Sequence, residues 1–307
     1  MRILIQFPEG LKQKALEHAK KLEGEGHEVF ISSSPTYGAC DLAIDEAKNI
    51  KAEKLIHFGH AEFSHVDFNV EYVDYRIDAP LGILNDSLRY LEGYVKIGLI
   101  TTIQHIHQLE EIKAFYTSHG KSVLIGKPYG FAKKPGQVLG CDVGAAASVN
   151  READAIVYIG GGIFHPLGAA YHTTKPLIAV DPFNNKILDM AEYRIAAQKR
   201  SKGRILSSIE AKNIGILVST KNGQHNMNLA KILKSKIGSC GLSAAILVSN
   251  TIDFDSINNM LEFDAFVNTA CPRIATDDND RIRKPLLSPN ELMEVLRIKE
   301  ELSRNKK

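Results

Sequence analysis

The strongest constraint on the fold of this chain is that it repeats itself three times. Three apolar segments begin alike: Arg2-Ile-Leu-Ile-Gln-Phe7, Lys96-Ile-Gly-Leu-Ile-Thr-Thr102 and Asn213-Ile-Gly-Ile-Leu-Val-Ser-Thr220. Short aliphatic runs of this kind read as buried strands. An amphipathic stretch with helical spacing follows each, over residues 10–22, 106–118 and 226–237, and closes near Gly26, Gly120 or Gly241. Second strands are expected at residues 28–31, 122–125 and 244–248. Strand–helix–strand units imply parallel pairing and an α/β fold. The expected architecture is three homologous modules, each a small mainly parallel sheet with flanking helices. Their limits are residues 1–92, 93–208 and 209–307, with 185–208 as a linking helix.

The repeat gives the cysteines their meaning. Cys40-Asp41 and Cys141-Asp142 each open a helix leading to a third strand, and the two stretches align without a gap. Asn49 falls on Asn150, Ala52 on Ala153, Gly59 on Gly160 and Phe63 on Phe164, with each glycine 19 residues after its cysteine. In the third repeat, Asp264-Ala-Phe-Val-Asn-Thr-Ala-Cys271 matches Asp154-Ala-Ile-Val-Tyr-Ile-Gly-Gly161. Parallel strands end together, and ligands in such folds bind outside that edge. Cys40, Cys141 and Cys271 all belong to it. Cys240 precedes the second strand of its module, at the opposite end, and a five-residue strand spans roughly 17 Å; it is read as structural.

Four cysteines in 307 residues are too few for a secreted disulfide framework, and no C-x-x-C pair is present. Three converging thiolates can hold one zinc ion or three corners of a cubane cluster. Structural zinc usually draws paired ligands from tight turns, whereas these cysteines are 101 and 130 residues apart. A 4Fe–4S cluster normally takes four cysteines; three leave one iron open to a substrate. The modules are then arranged around a central cluster site. Composition excludes other classes. With 44% hydrophobic and 24% charged residues the chain is not disordered, and a net charge of +2 leaves no footprint for nucleic acid. No apolar run is long enough for a membrane span, and the opening residues read as a strand rather than a signal peptide, so a cytoplasmic location is expected.

Four strings carry a resemblance: Tyr37-Gly-Ala-Cys-Asp41, His57-Phe-Gly-His60, Thr101-Thr-Ile-Gln-His105 and Asn268-Thr-Ala-Cys-Pro-Arg-Ile-Ala-Thr-Asp-Asp278. With them the chain resembles the archaeal 2-(3-amino-3-carboxypropyl)histidine synthase family of diphthamide biosynthesis over nearly its whole length. The resemblance implies a homodimer whose Cys40, Cys141 and Cys271 bind three irons of a 4Fe–4S cluster. It implies S-adenosylmethionine as co-substrate, a histidine of archaeal elongation factor two as acceptor, and an electron donor that the sequence does not name. The bond broken is the one from sulfur to the γ-carbon of the methionine moiety, leaving methylthioadenosine. The compact C-x-x-x-C-x-x-C loop of ordinary radical S-adenosylmethionine enzymes is absent.

Other polar residues at the same edge are candidate contacts for S-adenosylmethionine. Gln104 and Gln224 offer donors and acceptors. Gly160, Gly161 and Gly162 allow close backbone approach, or simply a tight turn. His60, aligned with Gly161, orients substrate or serves as a hydrogen-bonded core histidine. Arg273 suits a carboxylate and Asp277 or Asp278 an amino group, against an inter-module ion pair and helix caps. His105 and His107 are read as loop residues, and residues 127–140 as a lid, a docking loop or a tolerated insertion. The competing readings are a quinolinate-synthase-like cluster enzyme, a non-catalytic α/β ligand-binding protein and a structural zinc protein.

Overall fold

A computed structural model describes residues 1–272, 274 and 281–304. Three sheets appear in chain order. The first is built from β1 (Arg2–Gln6), β2 (Glu28–Ile31), β3 (Lys54–Phe58) and β4 (Val70–Val73), ordered β2-β1-β3-β4 and parallel throughout. The second holds β5 (Lys96–Thr101), β6 (Ser122–Ile125), β7 (Ala155–Ile159), β8 (Leu177–Asp181) and β9 (Lys186–Asp189), ordered β6-β5-β7-β8-β9. Only β9 runs antiparallel, against β8. The third has β10 (Asn213–Ser219), β11 (Ser243–Ser249), β12 (Ala265–Asn268) and β13 (Leu286–Leu287), again parallel in the order β11-β10-β12-β13.

Helices connect the strands: α1 (Ala15–Gly24), α2 (Ile44–Asn49), α3 (Leu84–Ser87), α4 (Leu109–Ser118), α5 (Gly144–Val149), α6 (Phe164–Tyr171), α7 (Met190–Ser207), α8 (Met227–Ser239), α9 (Phe254–Asn258) and α10 (Pro289–Arg304). In the first two repeats the helix after the first strand opens with a 3-10 turn, at Glu9–Lys14 and Ile103–Gln108. Helices α2 and α5 begin three residues after Asp41 and two after Asp142, so each cysteine lies on the preceding loop rather than at a helix start. Both faces of each sheet are covered, as parallel sheets require. In the first, Ile3, Ile5 and Phe7 pack with Ala15, Ala19 and Phe58 on one face, while Leu4 packs with Leu42, Ile44 and Ala47 on the other.

The repeat extends to hydrogen bonding. An acidic residue before each third strand accepts backbone N–H groups from the start of the first. Glu53 takes Arg2, Asp154 takes Val95 and Lys96, and Asp264 takes Lys212 and Asn213. These bonds from Lys96 and Asn213, with others, hold the two aspartates below the usual carboxylate range.

Two expectations are corrected. The stretch 185–208 is not one helix. It begins with β9, reached by a turn in which Asn185 adopts a φ of 50°. Asparagine tolerates that region, and the hairpin buries the edge of β8. Each sheet also gains a strand beyond the three expected, β4, β8 or β13. The chain divides into two compact units, Met1–Ala191 and Glu192–Lys307. The first contains two sheets and the second contains the third. Within the second unit, α7 is tied to α10 by the buried Glu291, which accepts from Ser201 and Arg204.

Candidate functional site

Each of the three cysteines stands at the C-terminal edge of its own sheet, on a loop braced by a buried polar side chain. None of them is in a disulfide. Cys40 follows β2. Its loop is held by Gln6, the last residue of β1, which is 1% exposed. The amide Nε2 of Gln6 donates to the Asp41 carbonyl at 2.8 Å and to the Thr36 hydroxyl at 3.2 Å, while Oε1 accepts from the Ala43 N–H. The neighbouring Pro8-Glu-Gly10 loop serves the same end, with Glu9 accepting from the Thr36 N–H.

Cys141 follows β6. Asp142 organises its loop, with Oδ2 accepting from the N–H groups of Phe131 and Ala132 and Oδ1 from Gly144. The preceding Gly140 lies flat against α6: a Cβ there would fall 1.6 Å from Cε1 of Phe164. Residues 127–140 are strapped down rather than free. Val138 and Gly136 bond Thr101 at the end of β5, and the buried Gln137 accepts from the Lys133 and Lys134 N–H groups. Phe131 stacks on Phe63 with ring centroids 4.1 Å apart, which links the Cys141 loop to the segment beyond His60.

Cys271 follows β12 in the second unit. Asn268, the last residue of that strand, donates to the Cys271 carbonyl at 2.9 Å and accepts from the Ala270 N–H. His57, Tyr158 and Asn268 occupy matching places in the three sheets, opposite Gln6, Ile100 and Leu217.

His60 joins the Cys40 loop, its Nδ1 lying 3.0 Å from Nε2 of His57. A Cβ on Gly38 would lie 3.7 Å from the Cys40 sulfur and 3.9 Å from His60 Nε2, so Gly38 faces both. Gln104 donates to the carbonyl of Gly59 at 3.0 Å. It acts here as a tie between the first two repeats, alongside Gln108, which bonds both backbone groups of Ala79. His105 is buried against the Ile77 carbonyl rather than solvated, whereas His107, on the same 3-10 turn, is exposed and meets Asp78 at the surface.

The Gly160–Gly162 turn uses its glycines: φ is 149° at Gly160 and 73° at Gly162. Beneath it lies Tyr158, buried, whose hydroxyl would be 2.6 Å from a Cβ on Gly160. Asp181, at the end of β8, accepts from the Gly162 N–H. Burial alone would raise its pKa, but bonds from Asn184, Gly162 and Phe183 outweigh that and lower it. Asp181 was not singled out from the sequence; the Asp-Pro-Phe-Asn-Asn turn that it caps was the available signal. Gln224 sits on the loop after β10, half-buried, its N–H bonded to the Lys221 carbonyl. Arg273, Asp277 and Asp278 lie outside the described residues. Cys240 caps α8 with its sulfur 3.4 Å from Glu300, and burial together with that carboxylate raises its thiol pKa.

The donor chemistry fits an iron–sulfur cluster. Three soft thiols, the donor type such a cluster takes, stand on braced loops at strand ends.

A family sequence profile, that of the diphthamide synthesis protein family, matches residues 7–306. The chain belongs to this family. It is 36% identical to the 2-(3-amino-3-carboxypropyl)histidine synthase of Pyrococcus horikoshii over 98% of its own length and 87% of the relative. It is 32% identical to subunit 1 of the human synthase over 96% of this chain and 68% of that one. Against the Methanocaldococcus jannaschii synthase the identity is 26%, over 94% and 83%. Among solved structures it resembles Dph2 from Pyrococcus horikoshii with a 4Fe–4S cluster. There the TM-score is 0.89 at 35% identity, covering 98% of this chain and 87% of that chain.

Proposed function

We propose that this chain transfers the 3-amino-3-carboxypropyl group of S-adenosylmethionine to C2 of a histidine imidazole in archaeal elongation factor two, the first step of diphthamide biosynthesis. The observation that carries this reading is near full-length similarity to synthases of that name. Three braced thiols at strand ends support it. Cys40, Cys141 and Cys271 hold three irons of a 4Fe–4S cluster. When bound and reduced, such a cluster supplies the electron that breaks the bond between the sulfonium and its γ-carbon, leaving methylthioadenosine.

The protein's own task is geometric. Which of three C–S bonds lies toward the electron source decides the product, so the substrate must be gripped at both ends. The turn at Gly160, Gly161 and Gly162, free of side chains, lets the backbone come close to it. His60 and Gln224 add side-chain contacts, and Gln104 positions the Gly59–His60 turn through its bond to Gly59. Arg273 takes the carboxylate, with Asp277 or Asp278 on the amino group. The working unit is a cytoplasmic homodimer served by a separate electron donor, with repeats at 1–92, 93–208 and 209–307.

The test is transfer itself. Anaerobic, reduced holoenzyme with S-adenosylmethionine and archaeal elongation factor two should yield a factor heavier by one aminocarboxypropyl group on a single histidine. A factor returned unmodified by enzyme with a full cluster contradicts the assignment.

A further inference from the structure

Residues 127–140 are neither a hinged lid nor a slack insertion, because their backbone is anchored along its length. The Lys127 N–H donates to the Ser148 hydroxyl, the Gly136 N–H to the Gly126 carbonyl, and the Gly136 carbonyl accepts from Thr101. Asp142 holds Phe131 and Ala132, and Gln137, only 2% exposed, holds Lys133 and Lys134. Yet this fixed segment turns its largest apolar side chains to solvent. Tyr129 is 77% exposed and Phe131 46%. Phe131 is backed by the ring of Phe63, and Tyr129 packs on Gly144, where a Cβ would come within 2.6 Å of the Tyr129 Cβ. Three lysines, Lys127, Lys133 and Lys134, flank the two rings along the chain. All three are exposed and, among the described residues, in no ion pair. The segment holds no carboxylate, and the adjoining Asp142 is turned inward onto backbone N–H groups.

We propose that this loop is the seat of the protein substrate, and that it grips an acidic segment bearing apolar side chains beside the target histidine. This rests on the functional reading above and deepens it. Aromatic rings already fixed in place lose little freedom on contact, and rings of this kind dominate the energy of protein interfaces. Unpaired positive charge around them selects negative charge and speeds encounter. Location chooses the occupant. Cys141 is the exposed one of the three cysteines, Cys40 and Cys271 being half-buried, and its loop shares the brace Asp142 with the aromatic tip. The acceptor imidazole has to come within bonding distance of a fragment released at the cluster, so the protein that carries it must sit against an open edge. An electron donor need only come within tunnelling range. A second copy meeting the patch face to face would set its lysines against themselves.

The experiment uses reconstituted holoenzyme reduced with dithionite, so that no protein donor takes part. It compares the wild type with Tyr129→Ser, with the charge reversal Lys127→Glu/Lys134→Glu, and with Leu261→Ser. Leu261 is just as open, 74% exposed, but precedes β12, at the opposite end of that strand from Cys271. Serine keeps the Cβ that packs on Gly144, and the loop's bonds at Lys127 and Lys134 are made by backbone. Binding of archaeal elongation factor two is read by calorimetry, transfer by its KM and kcat, the cluster by methylthioadenosine release without the factor, and assembly by light scattering. Tyr129→Ser should weaken factor binding and raise its KM by about tenfold at unchanged kcat. The charge reversal should weaken binding too and flatten its dependence on salt. Methylthioadenosine release and molar mass should stay at wild-type values, and Leu261→Ser should match the wild type throughout. Unchanged factor binding in Tyr129→Ser or in the charge reversal overturns the proposal, as does equal weakening in Leu261→Ser. A fall in molar mass would give the patch to a second copy, and a loss of methylthioadenosine release would give it to the cluster; either overturns it. Wild-type enzyme that binds the factor and releases methylthioadenosine but never modifies the factor contradicts the assigned reaction instead, while the binding ratios still decide the role of the loop. Wild-type enzyme that binds no factor overturns the proposal as well.

Discussion

Gln6, Asp142 and Asn268 do for the three cysteine loops what no cysteine can do for itself: Gln6 and Asn268 tie the backbone around it to a strand end, and Asp142 ties it to residues 131, 132 and 144. The cysteines were legible because their spacing repeats. Asp142 was visible only as the companion of Cys141. Gln6 was one polar residue ending an apolar strand, and its partners Thr36, Asp41 and His57 lie 30 to 51 residues away. A side chain's role as a brace is a property of what folding brings to it, so composition and spacing leave it unmarked. His57 gives this scale its test. An unfolded histidine titrates near 6.5 whereas the native one is held near 3. Between those values the unfolded chain binds a proton that the native state refuses, so stability falls as pH drops below about 6.5. Chemical denaturation should therefore show a loss of about 2 kcal/mol from His57 alone between about pH 7 and about pH 5. His57→Phe, which has nothing to protonate there, should remove that share of the slope and leave the share of His60, which burial also holds low.

At the scale of elements, close approach between loops and helices places the cysteines. Gly140 against Phe164 is the tightest case, and the Gly168 Cα side faces the Gly140 carbonyl in turn. An alanine at 140 cannot be accommodated unless the ring leaves. Gly140→Ala should cost about 2–3 kcal/mol through overpacking and lower iron incorporation by displacing Cys141. Adding Phe164→Ala should return part of both, and a double-mutant cycle on stability and iron content reads the coupling. Strict additivity would mean that the contact does not place the loop. The first three strands of each repeat were readable because each is a short apolar run followed by helix or turn chemistry. The fourth strands were not. Val70–Val73 comes after an irregular stretch of polar and aromatic residues, and Leu286–Leu287 is two residues long. Strand β9 was absorbed into the helix that follows it, because Lys186-Ile-Leu-Asp189 also fits a helical pattern and only its pairing with β8 makes it a strand.

For the whole molecule, threefold repetition explains why three thiols from distant parts of the chain can share a chemical role. Each repeat ends its strands at an edge, each edge carries one cysteine, and each has its own acidic residue locking first strand to third. That logic was present in the sequence. The family followed from the strings around Cys40 and Cys271, and the matches over residues 7–306 agree with it. What sequence patterning could not supply was the division into Met1–Ala191 and Glu192–Lys307, because compactness depends on packing rather than on repeat length.

The central claim is that a cluster held by Cys40, Cys141 and Cys271 directs cleavage to the γ-carbon of S-adenosylmethionine. Its most direct measurement is product analysis after anaerobic reconstitution and reduction, with no protein factor present. The account predicts methylthioadenosine from the wild type and from Cys240→Ala, and none from Cys40→Ala, Cys141→Ala or Cys271→Ala. Formation of 5′-deoxyadenosine, or methylthioadenosine that survives loss of any of those three thiols, would contradict it.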